Sequence, residues 1–335
     1  MSENIKADLL ENKIQLPLFD DTTILPTGKY HVSYSEISVH TECSYRHKLQ
    51  YVDKIVLDHG SIHTEYGRTV HDLLEEFLRD RNSLTPEACV GAQEKFYKLC
   101  ADLEKETGKP ILVEEQVEFG KSIPDVAMAV PEFLDSEFPG WQPVAAEFNL
   151  FEPVVGQKNK WFKGFIDSVI KVPRKRPKKI ISNDEGEVEI SSKPLRFSDM
   201  KNFAEQSTEI KKPIVDNINW QYYIFDWKTT GHGWTPDKKR DFNKQLQLIL
   251  YKHFFCSIFG LDLDDVKCGF VLLKRTKRKS DNSRVELVPV SVGPKTEEKA
   301  LKVLGNMINQ VNSKRTMKNR NSCRYCPYNG TEHCT

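Results

Sequence analysis

The sequence predicts a mixed β-sheet flanked by helices, an α/β or α+β arrangement. Three observations predict it. Helical apolar spacing dominates up to about residue 138, then gives way to strand-like runs at 143–151 and 161–172. A long helical pattern at about 237–259 separates an apolar strand at 221–229 from strands at 266–274 and 285–292. A last helical pattern at 295–312 precedes a cysteine-rich tail.

The elements follow in order. Residues 33–50 (SYSEISVHTECSYRHKLQ) read as a short helical entry with aromatic and basic residues interleaved. Over 65–79, Val70, Leu73, Leu74, Phe77 and Leu78 make one apolar stripe, and further helices are expected at 86–104 and 125–138. Residues 173–215 are charged, Pro-bearing and aperiodic, and read as an insertion, a hairpin with flexible edges. Its basic run Arg174, Lys175, Arg176, Lys178 and Lys179 is either a DNA-contacting arm or a solvated linker. We expect a flexible arm at 1–28 and one domain over 29–335, with a helical region at 65–140, the insertion at 173–215 and the tail at 318–335.

Composition narrows the class. The chain has 335 residues, 39% hydrophobic and 29% charged, as in a globular protein. No apolar run is long enough to span a membrane, and the N-terminus lacks the basic-then-apolar layout of a signal peptide. A reducing, cytoplasmic compartment is expected, nucleoid-associated or, for a viral chain, in the host, so the eight cysteines are not read as a disulfide framework. Net charge is +1, so any nucleic-acid affinity must come from a local patch.

Chemistry concentrates in Ile224-Phe225-Asp226-Trp227-Lys228-Thr229-Thr230. Strand alternation puts Asp226 and Lys228 on one face and Trp227 on the other. Three more features line up: His71 beside the helical stripe, Gly164-Phe165-Ile166-Asp167 within a strand, and Gln247 with Tyr251 one helical turn apart. Taken singly, each has a plain reading: a solvated histidine, a strand-end acid, a surface ion pair worth ~0–1 kcal/mol, a half-exposed helix face. Taken together, two carboxylates and an imidazole can hold Mg²⁺ or Mn²⁺, which activates water and clamps a phosphate oxygen beside a lysine. A second Asp-x-Lys, Asp199 with Lys201, lies in a loop-like context.

This set resembles the RecB-type branch of the PD-(D/E)XK nuclease superfamily, which carries a helical His, G-x-x-D, D-x-K and Q-x-x-x-Y in this order. The resemblance implies an α/β, restriction-endonuclease-like core with a mixed central sheet flanked by helices. It implies His71, Asp167, Asp226 and the Trp227 carbonyl as metal ligands, and Lys228, Asp226 and Asp167 as the catalytic set. Gln247 and Tyr251 would support the site or touch DNA, and Glu147 is a weaker match to an upstream acidic position.

The tail reads Cys323-Arg324-Tyr325-Cys326 through His333-Cys334. A C-x₂-C turn aims two thiolates at one metal. Cys43, far upstream, is the best fourth ligand, and His333 is a substitute for Cys334. This layout resembles the iron–sulfur branch of these nucleases, which includes CRISPR-associated exonucleases and AddB-type nuclease domains. There a [4Fe–4S] cluster joins one cysteine before the core to three after it. Zinc is the alternative occupant. Cys89, Cys100, Cys256 and Cys268 read as buried thiols.

The resemblance implies a metal-dependent DNA exonuclease acting on single strands or duplex ends, in recombination, repair or DNA processing, with a helicase or recombination protein as partner. The alternative is a non-catalytic, iron–sulfur or zinc-stapled clamp or partner subunit that binds nucleic acid.

Overall fold

A single mixed sheet organises the chain. The computed structural model describes residues 24–57, 60–175, 181–182, 188–189, 219–277 and 283–335. In chain order the elements are β1 (His31–Ser33), α1 (Tyr34–Glu42), α2 (Ser44–His47, continued by a π-turn), α3 (Ile62–Arg79), α4 (Pro86–Thr107), α5 (Val113–Ala127) and α6 (Ala129–Glu137). Then come β2 (Gln142–Pro153), β3 (Trp161–Pro173), β4 (Ile181–Ser182), β5 (Val188–Glu189), β6 (Trp220–Thr230), α7 (Pro236–Arg240), α8 (Phe242–Phe259), β7 (Val266–Lys274), β8 (Val285–Val290) and α9 (Pro294–Asn312).

β3 is the hub of the sheet. It pairs antiparallel with β2 on one side. On the other it pairs parallel with β1 near its start and antiparallel with β6 near its end. β6 runs parallel to β7, with α8 as the crossover, and β7 pairs antiparallel with β8. The predicted mixed sheet flanked by helices is therefore present.

Each face of the sheet buries a core. On one, Phe148, Phe162, Ile166, Ile224 and Phe270 pack with Leu246, Leu250 and Phe254 of α8 and Leu304 and Ile308 of α9. On the other, Phe225, Trp227 and Val271 pack with Val70, Leu74 and Phe77 of α3 and with α4 to α6. Caps fix the helix ends: Thr85 Oγ1 accepts from Ala88 N at 3.2 Å to open α4, and Asp241 accepts from Asn243 N at 2.9 Å to open α8.

Three expectations need correction. The helix expected at 125–138 is two helices, α5 and α6, and α5 begins at Val113. Gly120 and Pro124 argue against a helix locally, but Phe119, Ile123, Val126 and Val130 form a buried stripe that overrides them. The helix expected from 237 is broken at Asp241, whose extended backbone caps α8. Arg174, read with a basic run, is tied down instead: it donates to Gln221 Oε1 at 3.0 Å and to the fully buried Asp265 at 2.7 Å.

β4 and β5 form an antiparallel ladder inside the expected insertion. The rest of that segment from 176, with Asp199, and residues 1–23 of the expected arm lie outside the described residues. No described helix is long and apolar enough to cross a membrane.

Candidate active site

The site forms where the β2–β3 hairpin changes face. Ala146 pairs with Ser168 and Phe148 with Ile166, so Glu147 stands opposite Asp167. Ala146 packs into the α3-side core, whereas Phe148 and Ile166 pack into the α8-side core. The alternation therefore switches at Glu147 and Asp167. Glu147 takes φ +50°, a left-handed backbone rare for a side chain inside a strand. His71 of α3 joins them. The three residues present ligand atoms all within 4.8 Å of one another.

β6 completes the geometry. Trp227 buries its ring on the α3 side, while its backbone N–H donates to Asp167 Oδ2 at 2.8 Å and its carbonyl bonds His71 Nε2 at 3.0 Å. His71 Nδ1 lies 3.6 Å from Asp167 Oδ2. Asp226, 1% exposed, sits one layer deeper. Lys228 Nζ is 2.5 Å from its Oδ2, and Gln247 Nε2 donates to its Oδ1 at 2.6 Å. Gln247 also donates to the Tyr251 hydroxyl at 3.3 Å. Gly164 admits this arrangement: a Cβ there would sit 2.5 Å from Tyr251 Cε1.

Crowded acids set the electrostatics. Burial, then the charge of Asp226, pushes the Asp167 carboxyl well above the usual carboxylate range. Burial, then Glu75 and Asp226, raises Glu147. Burial pulls Lys228 down, but Asp226 and Asp167 outweigh it, and its ammonium is held more tightly than usual. Burial lowers His71, favouring the neutral imidazole that a metal needs. Two raised acids, a neutral imidazole and a nearby carbonyl are a donor set suited to Mg²⁺ or Mn²⁺, whose charge would offset the carboxylates.

A second constellation lies at the termini. Cys43, Cys323, Cys326 and Cys334 line one shared pocket. Hydrogen bonds join the entry and tail segments around it: Met317 N donates to Ser44 Oγ at 2.8 Å, Asn319 Nδ2 to the Glu42 carbonyl at 2.8 Å and Asn319 N to Cys43 Sγ at 3.4 Å. His333 does not line the cavity, whereas Cys334 does. Among the described residues, no three of these sulfurs fall within 4.8 Å of one another. Four thiolates around one zinc ion would lie about 3.8 Å apart. No three of the sulfurs are thus drawn as close together as the ligands of one bound ion. Cys89, Cys100, Cys256 and Cys268 are buried thiols, as expected.

The fold thus gathers His71, Asp167, Asp226, Trp227, Lys228, Gln247 and Tyr251 around one point, and the four tail and entry cysteines around another. It brings Glu147, a weak candidate in the sequence, into closest company with His71 and Asp167. The register of the 142–153 and 161–173 strands across their short connection carried that signal.

A mixed sheet that presents acids, an imidazole and a lysine at an interrupted hairpin is the framework of the restriction-endonuclease-like nucleases. The chain belongs to the PD-(D/E)XK nuclease superfamily, whose family model matches residues 31–180 and 214–331. Members of that superfamily use divalent metals. The chain is also similar to a crystal structure of a provisionally named exonuclease from Eubacterium rectale. That likeness has 12% identity and a TM-score of 0.46, and covers 89% of this chain and 88% of the other. No curated protein matches the sequence.

Proposed function

We propose that this protein is a metal-dependent DNA exonuclease of the RecB-like, iron–sulfur branch, working in recombination, repair or DNA processing. The observation that carries the reading is the convergence of His71, Glu147 and Asp167 within 4.8 Å, beside a lysine ion-paired to Asp226. A bound Mg²⁺ or Mn²⁺ would supply a more acidic water and a clamp on a phosphate oxygen. His71, Glu147, Asp167, Asp226 and the Trp227 carbonyl are the residues that would hold it.

The protein's own groups divide the remaining work. Lys228 stays protonated because two acids face it, so it serves as a fixed positive charge beside the phosphate rather than as a base. Asp226 orients Lys228, and Gln247 orients Asp226. Tyr251 and Gln247 are both buried, which suits support of the site rather than contact with DNA. The Trp227 N–H fixes one oxygen of Asp167.

In this reading Cys43, Cys323, Cys326 and Cys334 hold a [4Fe–4S] cluster that joins entry and tail, within one nuclease domain over 29–335. The cluster is structural, because a cross-link between segments so distant in sequence restricts the unfolded chain strongly.

The test is incubation of wild type and Lys228→Ala with Mn²⁺ or Mg²⁺ and end-labelled single- and double-stranded DNA. Metal-dependent degradation by the wild type alone supports the reading, and the product ladder gives exo or endo action and direction. Intact binding without degradation of either substrate would move the assignment to a non-catalytic clamp.

A further inference from the structure

The face change at Glu147 and Asp167 leaves one surface of the hairpin open. From Trp161 to Ile166, the even positions of β3 point to the α8-side core: Phe162 and Ile166 are fully buried, and a Cβ on Gly164 would strike Tyr251. Lys163, Phe165 and Asp167 therefore share the opposite face. On β2, Phe151 and Asn149 stand opposite Lys163 and Phe165.

This surface has an unusual make-up for the outside of a sheet. Phe165 is 43% exposed, next along the face from an acid of the metal-binding set. Lys163 lies 5.4 Å from the centre of its ring and forms no ion pair among the described residues. The Asn149 Oδ1 is buried without a hydrogen-bond partner. Beyond Lys163 the row closes on Phe151, stacked at 5.1 Å on Trp161 and edge-on to His31 at 5.7 Å. Strand rise puts Phe165 about 7 Å and Lys163 about 13 Å from Asp167 along one straight line.

We propose that this face is the track along which a single strand of DNA reaches the metal-binding acids. Phe165 stacks on an unpaired base, and Lys163 holds the adjoining phosphate. The inference rests on the nuclease reading and specifies the form of its substrate. An exposed aromatic with a free cation is the minimal platform for a single strand. A duplex keeps its base faces stacked on one another and offers none to Phe165.

The test reads binding, not cleavage. The full chain, without divalent metal, is titrated with a labelled oligothymidylate, an abasic strand of equal length, and a duplex. Phe165→Ala is expected to weaken oligothymidylate binding about tenfold, the loss of one base–aromatic stack. It should leave the abasic strand and the duplex unchanged, and Phe165→Trp should retain wild-type affinity. Lys163→Ala should weaken both single strands and reduce the salt slope by about 0.7. Wild-type affinity of Phe165→Ala for oligothymidylate, or an equal loss for abasic strand or duplex, would overturn the track. A wild type that binds through Phe165 yet cleaves nothing would remove the catalytic reading and leave the track standing.

Discussion

The Gln247 amide donates to Asp226 Oδ1 across 2.6 Å, from a helix to a buried acid on the neighbouring strand. This bond fixes the carboxylate whose other oxygen faces Lys228. It ties the orientation of the lysine to the packing of α8.

Gln247→Leu keeps the size but removes that donor. Hydrogen bonds to charged groups contribute about 1.5–3 kcal/mol, and the buried acid would lose one. We expect a lower denaturant midpoint with an unchanged slope, and at least a tenfold loss of cleavage. Unchanged cleavage would show that Lys228 is positioned without Gln247.

Gly164→Ala tests the close approach of Tyr251. The added methyl would overlap the ring at 2.5 Å, and overpacking of this kind costs about 1–3 kcal/mol. Thermal unfolding should occur several degrees lower, with cleavage reduced because Tyr251 and Gln247 move together. A variant as stable and active as the wild type would mean that the strand shifts freely.

The metal-free protein should lose stability as pH rises. Asp167 and Glu147 have carboxyl pKa values raised by burial first and by neighbouring acids second. A raised acid favours the folded state below its unfolded pKa, and that stability is lost as pH climbs through the folded pKa. Melting curves in chelator across acidic to neutral pH should show the decline, and Mn²⁺ should reverse it. Asp167→Asn should flatten both effects. A metal-free melting point independent of pH in this window would remove the premise of crowded charge.

Protein purified without oxygen should be brown, with iron and sulfide in equal amounts. Cys326→Ala should bleach it and expose the tail to protease, because the cysteine cavity joins the tail to the entry segment. A colourless protein with one bound zinc would replace the cluster by a single ion.

Much of the framework was legible because burial leaves a period. β7 was read at Val266–Lys274 from a continuous apolar run, and β3 and β6 within a residue or so. α5 was not, since Gly120 and Pro124 speak against a helix that only the stripe from Phe119 to Val130 sustains. The break at Asp241 was hidden because α8 is apolar nearly all round, which blurs where its periodicity starts.

The sequence by itself determined the inventory: an acid and a lysine on one strand face, a helical histidine, a Gln–Tyr pair one turn apart and cysteines at both ends. It determined these because residue type and strand or helix spacing are local properties. Tertiary structure decided the rest. Glu147 joined His71 and Asp167 only through the register of two strands and a left-handed backbone at φ +50°. The depth of Asp226, and the side of β3 left open beside Phe165, depended on which faces α3 and α8 cover. Those choices are made by packing between segments distant in the chain, and no local pattern encodes them.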